Sequence, residues 1–367
     1  MISVLIVEDS PVARDYLRYI LEADPGIRVA GVAESGEAAL ALLAVRTPDV
    51  ILMDIHLPGI DGFETTRRIM ASTPVPIVVC TASTRASEMH TVMRAIEAGA
   101  LAAVKKPRGL ADPEAGADAL ALVRTVKLMS EVKVVRRWTR TPPTPAPAAA
   151  VAAAVAASVA AAPYAAGALD AAVVAIGAST GGPPVIAQIL SRLSPSFPAP
   201  ILVVQHISAG FTVGLAEWLA TASGMPVSVA RGGETPLPGH VYLAPDGLHM
   251  VIGPRGQLQT TEHAPVNGLR PSVGVLFRSV AERFGPRAIG VLLSGMGRDG
   301  ADELKLMADR GALTVAQSEE SCVVFGMPGE AVRLGAARLV LAPEHIAALL
   351  NGLRATREVV AAPGTVS

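Results

Sequence analysis

The tightest constraint on this chain is an alternation of short, almost uninterrupted apolar runs with segments of helical period. In the first third, SVLIVED, RVAGVAES, DVILMD, PIVVCTAS and AAVKKP read as five strands buried on both faces. Amphipathic helices fill the intervals, which predicts a doubly wound parallel sheet. The pattern stops near Thr139 and resumes after Asp170 with AVVAIGA, PILVVQHIS and AIGVLLSGMGRDG. Between the two halves lies TPPTPAP, followed by an alanine-rich run. A proline- and alanine-dominated stretch of this kind reads as a linker, partly helical at most. The expected fold is therefore α/β, with two doubly wound parallel-sheet domains on either side of an Ala/Pro-rich linker.

Bulk properties exclude several function classes. The 367 residues are too many for one typical core and fit two domains. A net charge of −1 leaves no basic excess to hold a nucleic-acid backbone, and Lys133, Arg136, Arg137 and Arg140 read as a solvated linker cluster. Cys80 and Cys322 stand alone in apolar surroundings, so neither a disulfide framework nor a thiolate metal cluster is expected. The opening MISVLIVEDS has no basic leader, and Glu8 interrupts its apolar run, which argues against a signal peptide. The alanine run over about residues 146–163 is short and weakly apolar for a membrane span. A cytoplasmic protein without membrane insertion is expected.

In parallel sheets of this type, ligands collect at the carboxyl ends of the strands. Glu8 and Asp9 follow the first apolar run, Asp54 the third, Thr81 the fourth and Lys106 the fifth. Three carboxylates converging on one edge repel one another unless a cation joins them, and an oxygen-only donor set favours Mg²⁺. A cation beside Asp54 would neutralise charge on an incoming phosphoryl group, while Lys106 and the Thr81 hydroxyl could each bind a phosphoryl oxygen. Any one such residue at a strand end is commonplace; five at the ends of four strands describe a carboxylate phosphoacceptor site.

The segments VEDS, MDIHLPGIDGFE, TAS and KKP resemble the signature segments of two-component receiver domains. The resemblance covers about residues 1–125. It implies phosphorylation of Asp54 by a partner histidine kinase, with Mg²⁺ held by Glu8, Asp9, Asp54 and the His56 backbone carbonyl. One position departs from the family: where an aromatic switch residue is often found, three residues before the lysine, this chain has Ala103.

The second half turns on VVAIGASTGGPPV, residues 173–185. Gly177-Ala-Ser179-Thr-Gly181 fits G-x-S-x-G, but a glycine-rich turn after a strand could equally cradle a phosphate or be a plain connection. The helix expected next, PPVIAQILSRL, tolerates prolines in its first turn. A dinucleotide fingerprint would need glycine where Ser179 stands and an acid at the end of the next strand, where the sequence has Gln205-His206. Those two replacements suit a hydrolase instead. Neighbouring parallel strands would bring His206 within reach of the Ser179 proton. The third run ends in Asp299, a carboxylate able to orient the imidazole, among Gly295, Gly297 and Gly300, which permit a tight loop with free N–H groups. The chain order Ser, His, Asp differs from that of α/β-hydrolases.

The segments IGASTGGPP, VVQHI, FTVGLAEWL, GHVYLAPDGLHM, RPSVGVLFRSVA and LLSGMGRDGADEL resemble the catalytic domain of chemotaxis protein-glutamate methylesterases, the CheB family. The resemblance runs from about Val173 to Leu350. It implies a receiver over residues 1–125, a linker over 126–170, a three-layer α/β/α methylesterase domain over 171–355 and a disordered tail over 356–367. It further implies a hydrolase of glutamyl methyl esters and of glutamine side chains on methyl-accepting chemotaxis receptors, fed by a CheA-type histidine kinase. Ser179 would be the nucleophile, His206 the general base and acid, and Asp299 the orienting acid. Thr180 would flank the nucleophile and the Met296 N–H would serve the oxyanion, with no cofactor for the ester chemistry. Related sequences commonly read Pro-Ser-Val-Asp where this chain has PSVG, with Gly274 at the acid position.

Competing assignments remain at this level. Ser179 alone could be an ordinary helix-start serine. His249 competes with His206 for the base, and Asp302, expected a turn inside the following helix, competes with Asp299. The crevice could also be a non-catalytic interaction site, and dinucleotide-dependent redox chemistry is the weakest alternative.

Overall fold

The computed structural model describes residues 1–82, 86–109, 112–132, 134 and 171–353. The expected linker beyond Val134, its alanine run and the expected tail lie outside the described residues. No described helix is long and apolar enough to cross a membrane.

The N-terminal domain alternates β1 (Ile2–Val7), α1 (Pro11–Glu22), β2 (Ile27–Ala33), α2 (Gly36–Leu43), β3 (Val50–Asp54), α3 (Gly62–Ser72), β4 (Ile77–Thr81), α4 (Ala86–Glu97), β5 (Ala102–Lys105) and α5 (Ala115–Ser130). Its five strands form one parallel sheet in the order β2-β1-β3-β4-β5. Every residue of β3 and β4 is buried, as expected for strands covered by helices on both faces. The strand order reverses between β1 and β3, so Glu8, Asp9 and Asp54 open into the crevice at the switch point. Helix α1 starts there because Ser10 caps it, accepting from the Ala13 N–H, with Pro11 at its first position. Helix α5 runs to Ser130, past the boundary expected at residue 125. Leu122, Val126 and Met129 keep one apolar stripe buried through that point and carry the helix on.

The C-terminal domain contains β6 (Val173–Ala178), α6 (Gly182–Leu190), β7 (Ile201–Gln205), α7 (Thr212–Ser223), β8 (Val227–Val229), β9 (Val241–Leu243), β10 (His249–Ile252), β11 (Leu258–Thr261), α8 (Val273–Phe284), β12 (Ala288–Leu292), α9 (Ala301–Asp309), β13 (Leu313–Gln317), α10 (Met327–Arg333), β14 (Leu339–Leu341) and α11 (Pro343–Asn351). Seven strands make a parallel sheet in the order β14-β13-β12-β6-β7-β9-β8. Strand β6 is central, with β12 and β7 as its two neighbours. The residues following these three strands therefore converge on one edge. An antiparallel hairpin, β10–β11, stands outside the sheet, a departure from the purely parallel expectation.

The two domains pack against each other. Val92, Met93 and Ile96 of α4 belong to the same buried apolar cluster as Phe211, Leu215 and Trp218 at α7. Full burial of a side chain of this size is worth about 1.5–3 kcal/mol.

Candidate active site and phosphoacceptor site

Ser179 sits just beyond β6, in the turn before α6. Its N–H donates to the Ser294 carbonyl at 3.0 Å, and its own carbonyl accepts from the Gln205 side chain at 2.8 Å. Gly181 closes the turn at φ 78°, a conformation that favours glycine, and a Cβ there would lie 2.5 Å from Val323 Cβ. Gly295 packs directly on the serine: a Cβ at that position would come within 2.8 Å of Ser179 Cβ. The Met296 residue expected to serve an oxyanion follows immediately in this loop.

His206 follows β7, its N–H bonded to the Ala178 carbonyl at 2.9 Å, which aligns the ends of β6 and β7. Its Nε2 lies 2.9 Å from Asp299 Oδ2. The approach is a close polar contact rather than an aligned hydrogen bond, because no acceptor lies in line with the ring N–H. With Nε2 turned to the acid, Nδ1 is the nitrogen left for a serine proton.

Asp299 does not end a strand, as the sequence pattern suggested. Strand β12 stops at Leu292, and Asp299 lies in the loop immediately before α9. That loop carries it to the N-terminus of α8, where Ser272 Oγ donates to Oδ1 at 2.8 Å, Val273 N–H to Oδ2 at 2.7 Å and Gly274 N–H to Oδ1 at 3.2 Å. A helix N-terminus is a natural seat for a carboxylate. Burial would push this carboxyl up, but His206, Ser272 and Val273 outweigh it and hold Asp299 below the usual range. Ser272 has no signal in sequence beyond its fit as a helix cap, and it lies 27 residues from the acid it holds.

Two competitors, His249 and Asp302, stand elsewhere. His249 is fully buried, its Nδ1 accepting from the Ser272 N–H at 3.2 Å and its Nε2 3.3 Å from the Ala264 carbonyl. It stands behind Ser272, with both nitrogens engaged. Asp302 lies in the first turn of α9, exposed and paired with Arg298. His240 meets Ser228 and stacks on Tyr242, and His263 is exposed. Gly274 also finds an explanation. A Cβ there would fall 2.6 Å from Glu303 Oε2 and 3.3 Å from Asp299 Oδ1, so the Glu303 carboxylate occupies the space a side chain would need. Arg278 holds Glu303 in place at 2.9 Å.

The second cluster lies in the N-terminal domain. Carboxylate oxygens of Glu8, Asp9 and Asp54 all lie within 4.8 Å of one another. Lys106 Nζ reaches Glu8 Oε2 and Asp54 Oδ2, each at 2.7 Å. Glu8 is 1 % exposed, and its carboxyl is pushed up by burial and by the Asp54 charge, with Lys106 only partly offsetting them. Burial would lower the Lys106 ammonium, but Asp54 and Glu8 reverse that and raise it. A buried acid short of positive charge beside two further carboxylates fits a hard divalent cation. Thr81 ends β4 and is fully buried, the Lys106 N–H donating to its carbonyl at 2.7 Å. The His56 N–H donates to Asp54 Oδ1 at 3.3 Å, and its side chain is exposed.

The two sites point to a class: a hydrolase-type crevice joined to a receiver-type carboxylate cluster. Residues 4–114 match the response regulator receiver domain, and residues 174–350 match the CheB methylesterase family. A protein-glutamate methylesterase/protein-glutamine glutaminase of Nitrosospira multiformis is 50 % identical over 357 residues, 97 % of this chain and 98 % of the relative. One from Syntrophus aciditrophicus is 52 % identical over 351 residues, covering 95 % and 97 % respectively. The crystal structure of the Thermotoga maritima CheB methylesterase catalytic domain is 37 % identical and covers 49 % of this chain and 97 % of that one, with a TM-score of 0.48. The chain belongs to the CheB family of protein-glutamate methylesterase/protein-glutamine glutaminases: an α/β response regulator with a receiver domain and a hydrolase domain.

Proposed function

We propose that this chain removes methyl groups from glutamyl γ-methyl esters, and deamidates glutamines, on methyl-accepting chemotaxis receptors, under control of phosphate on Asp54. Ser179 attacks the ester carbonyl and gives its proton to His206 Nδ1. His206 then protonates the ester's methoxy oxygen as its bond to the carbonyl carbon breaks, methanol leaves, and a water activated by the same imidazole hydrolyses the acyl-enzyme. Asp299 keeps the ring oriented and stabilises its charged form. The Met296 N–H faces the developing oxyanion, beside Thr180. Glutamine differs only in losing ammonia instead of methanol. The observation that carries this reading is the seating of Asp299 by three donors at the start of α8, with its Oδ2 also against His206.

In the receiver, Glu8, Asp9, Asp54 and the His56 carbonyl would hold Mg²⁺, which supplies charge neutralisation for phosphoryl transfer from a CheA-type kinase. Thr81 and Lys106 bind oxygens of the acyl phosphate. The unphosphorylated receiver covers the crevice: Thr180 Oγ1 lies 3.9 Å from Met129 Sδ of α5, and Ser208 Oγ donates to the Ala103 carbonyl at 2.8 Å. A cavity of about 220 Å³ remains between the domains, lined by Leu101 and Val132 on one side and Gly181 and Val323 on the other. Phosphorylation weakens this cover. The working place is the cytoplasm, where receptor methylation sites and kinase meet.

The test is methanol release from methylated receptor membranes, with and without a small-molecule phosphodonor. Wild type releases methanol faster with phosphodonor, and Ser179→Ala releases none in either condition. Full activity in Ser179→Ala would overturn the nucleophile assignment. No release from the phosphorylated wild type would leave the crevice as an interaction site.

A further inference from the structure

One buried hydroxyl joins the nucleophile turn to the segment that faces the receiver. Ser294, fully buried just past β12, donates through Oγ to the Thr180 carbonyl at 2.8 Å, with the Val324 carbonyl farther off at 3.3 Å. The same Oγ accepts from the Val323 N–H at 3.2 Å and the Val324 N–H at 3.0 Å. A serine hydroxyl offers one donor and two acceptor sites, so its capacity is fully used. The main chain adds two bonds: the Ser294 carbonyl accepts from the Ser179 N–H at 3.0 Å, and the Ser294 N–H donates to Gln317 Oε1 at 2.8 Å.

Val323 and Val324 are the far end of this connection. Both pack against the apolar cluster of the receiver that includes Met129 and Val132. Val323 also fills the space beside Gly181, on the other flank of the nucleophile turn. Val323 and Val324 thus touch the receiver with their side chains and the serine turn, through Ser294, with their backbone N–H groups. A displacement at the receiver face has a short route to Ser179: valine packing first, then hydrogen bonds through Ser294.

We propose that Ser294 is a positioning residue for the esterase reaction: its hydroxyl fixes the backbone of the nucleophile turn and couples that turn to the receiver through Val323 and Val324. The inference rests on the reading of Ser179 as the nucleophile. Without the hydroxyl, the Thr180 carbonyl and two valine N–H groups lose their shared partner in a buried place, and the turn relaxes. The substrate surface is untouched, so the cost falls on turnover and not on binding.

The experiment uses the full chain, with methanol release from methylated receptor membranes as readout and circular dichroism as the check on folding. Ser294→Ala is expected to lower kcat about 10- to 100-fold with little change in KM, as a small misplacement of a reacting group does. The ratio of phosphodonor-stimulated to basal rate falls toward unity. Ser294→Cys, close in volume with a weaker donor, shows the same direction and carries the test if the alanine variant does not fold. Ser294→Thr keeps the hydroxyl and restores most of kcat. Wild-type kcat in a folded alanine or cysteine variant, an effect on KM alone, or no rescue by threonine overturns the positioning role. A lowered kcat with an unchanged stimulation ratio overturns the coupling to the receiver. Ser179→Ala, assayed in parallel, separates the two readings. If it is inactive while Ser294→Ala is fully active, only this inference fails; if it is active, the nucleophile assignment fails.

Discussion

Both halves of the molecule place an aspartate in the crevice at the carboxyl edge of a parallel sheet, yet they treat it in opposite ways. Asp54 meets one ammonium and one distant backbone N–H, and shares its crevice with the Glu8 and Asp9 carboxylates. Asp299 meets a hydroxyl, two N–H groups of a helix start and an imidazole. The first is left short of positive charge, which suits a group that must take up a cation and form a bond. The second is saturated with donors, which suits a group that must stay charged and still while its neighbour reacts. The difference shows that the surrounding donors, more than the residue type or strand edge, set what a carboxylate does.

The largest expected effect comes from exchanging each acid for its amide. Asp299→Asn cannot hold the charged imidazole and lowers kcat by about 10⁴, while incorporation of label from phosphodonor into Asp54 is unchanged. Asp54→Asn does the reverse, losing the label and the stimulated increment of methanol release. If both substitutions produced the same pair of losses, the two carboxylates would not have separate roles. Next in size is Ser272→Ala, which removes one donor from Asp299 together with the α8 cap. Loss of such a support lowers kcat about 10- to 100-fold, read in the same methanol assay.

A smaller effect separates the acids through pH. Asp299 has a depressed folded pKa, so its stabilisation is complete above the ordinary value of 3.8 and is lost as pH falls through the lower folded value. Urea unfolding of wild type against Asp299→Asn therefore shows a stability gap near neutrality that closes in strong acid; a gap that widened with acid would refute the donor-saturated description. The smallest effect is on the receiver. Glu8 has a raised folded pKa, so at neutral pH its buried charge opposes folding, and Mg²⁺ should relieve this. Magnesium is expected to raise the thermal midpoint by a few degrees, since a ligand at a hundredfold its Kd adds about 2.7 kcal/mol. Glu8→Gln should show a smaller rise.

The alternating apolar runs located the receiver strands to within a few residues, because strands buried on both faces leave a strong local signal. The positions of Ser179 and His206 at strand ends were legible for the same reason: each directly follows such a run. Asp299 was legible as a residue but not as a position, since the glycine-rich loop carries it away from β12 to a helix start that is adjacent only in space. Ser272 and His249 show the limit. A cap serine looks alike whether or not it also holds a carboxylate, and a buried histidine looks like a base until Ser272 is seen to occupy its Nδ1. The β10–β11 hairpin escaped because short antiparallel strands outside the main sheet lack the doubly buried pattern. Gly274 reads as a missing acid in sequence, and in the fold the Glu303 carboxylate lies beside it.

The hydrogen bond from Ser208 to the Ala103 carbonyl has a colloidal consequence as well. Strand β5 is the edge of the receiver sheet, and Ser208 of the other domain covers one of its backbone acceptors. Were the domains to part, that acceptor would be bare, and a bare strand edge is a template for another chain. Local features also blunt this edge: β5 is four residues long, ends on Lys105 and is followed by Lys106 and Pro107, a residue with no N–H to offer. The lysine that pairs with Asp54 and Glu8 thus also stands beside the edge of its sheet.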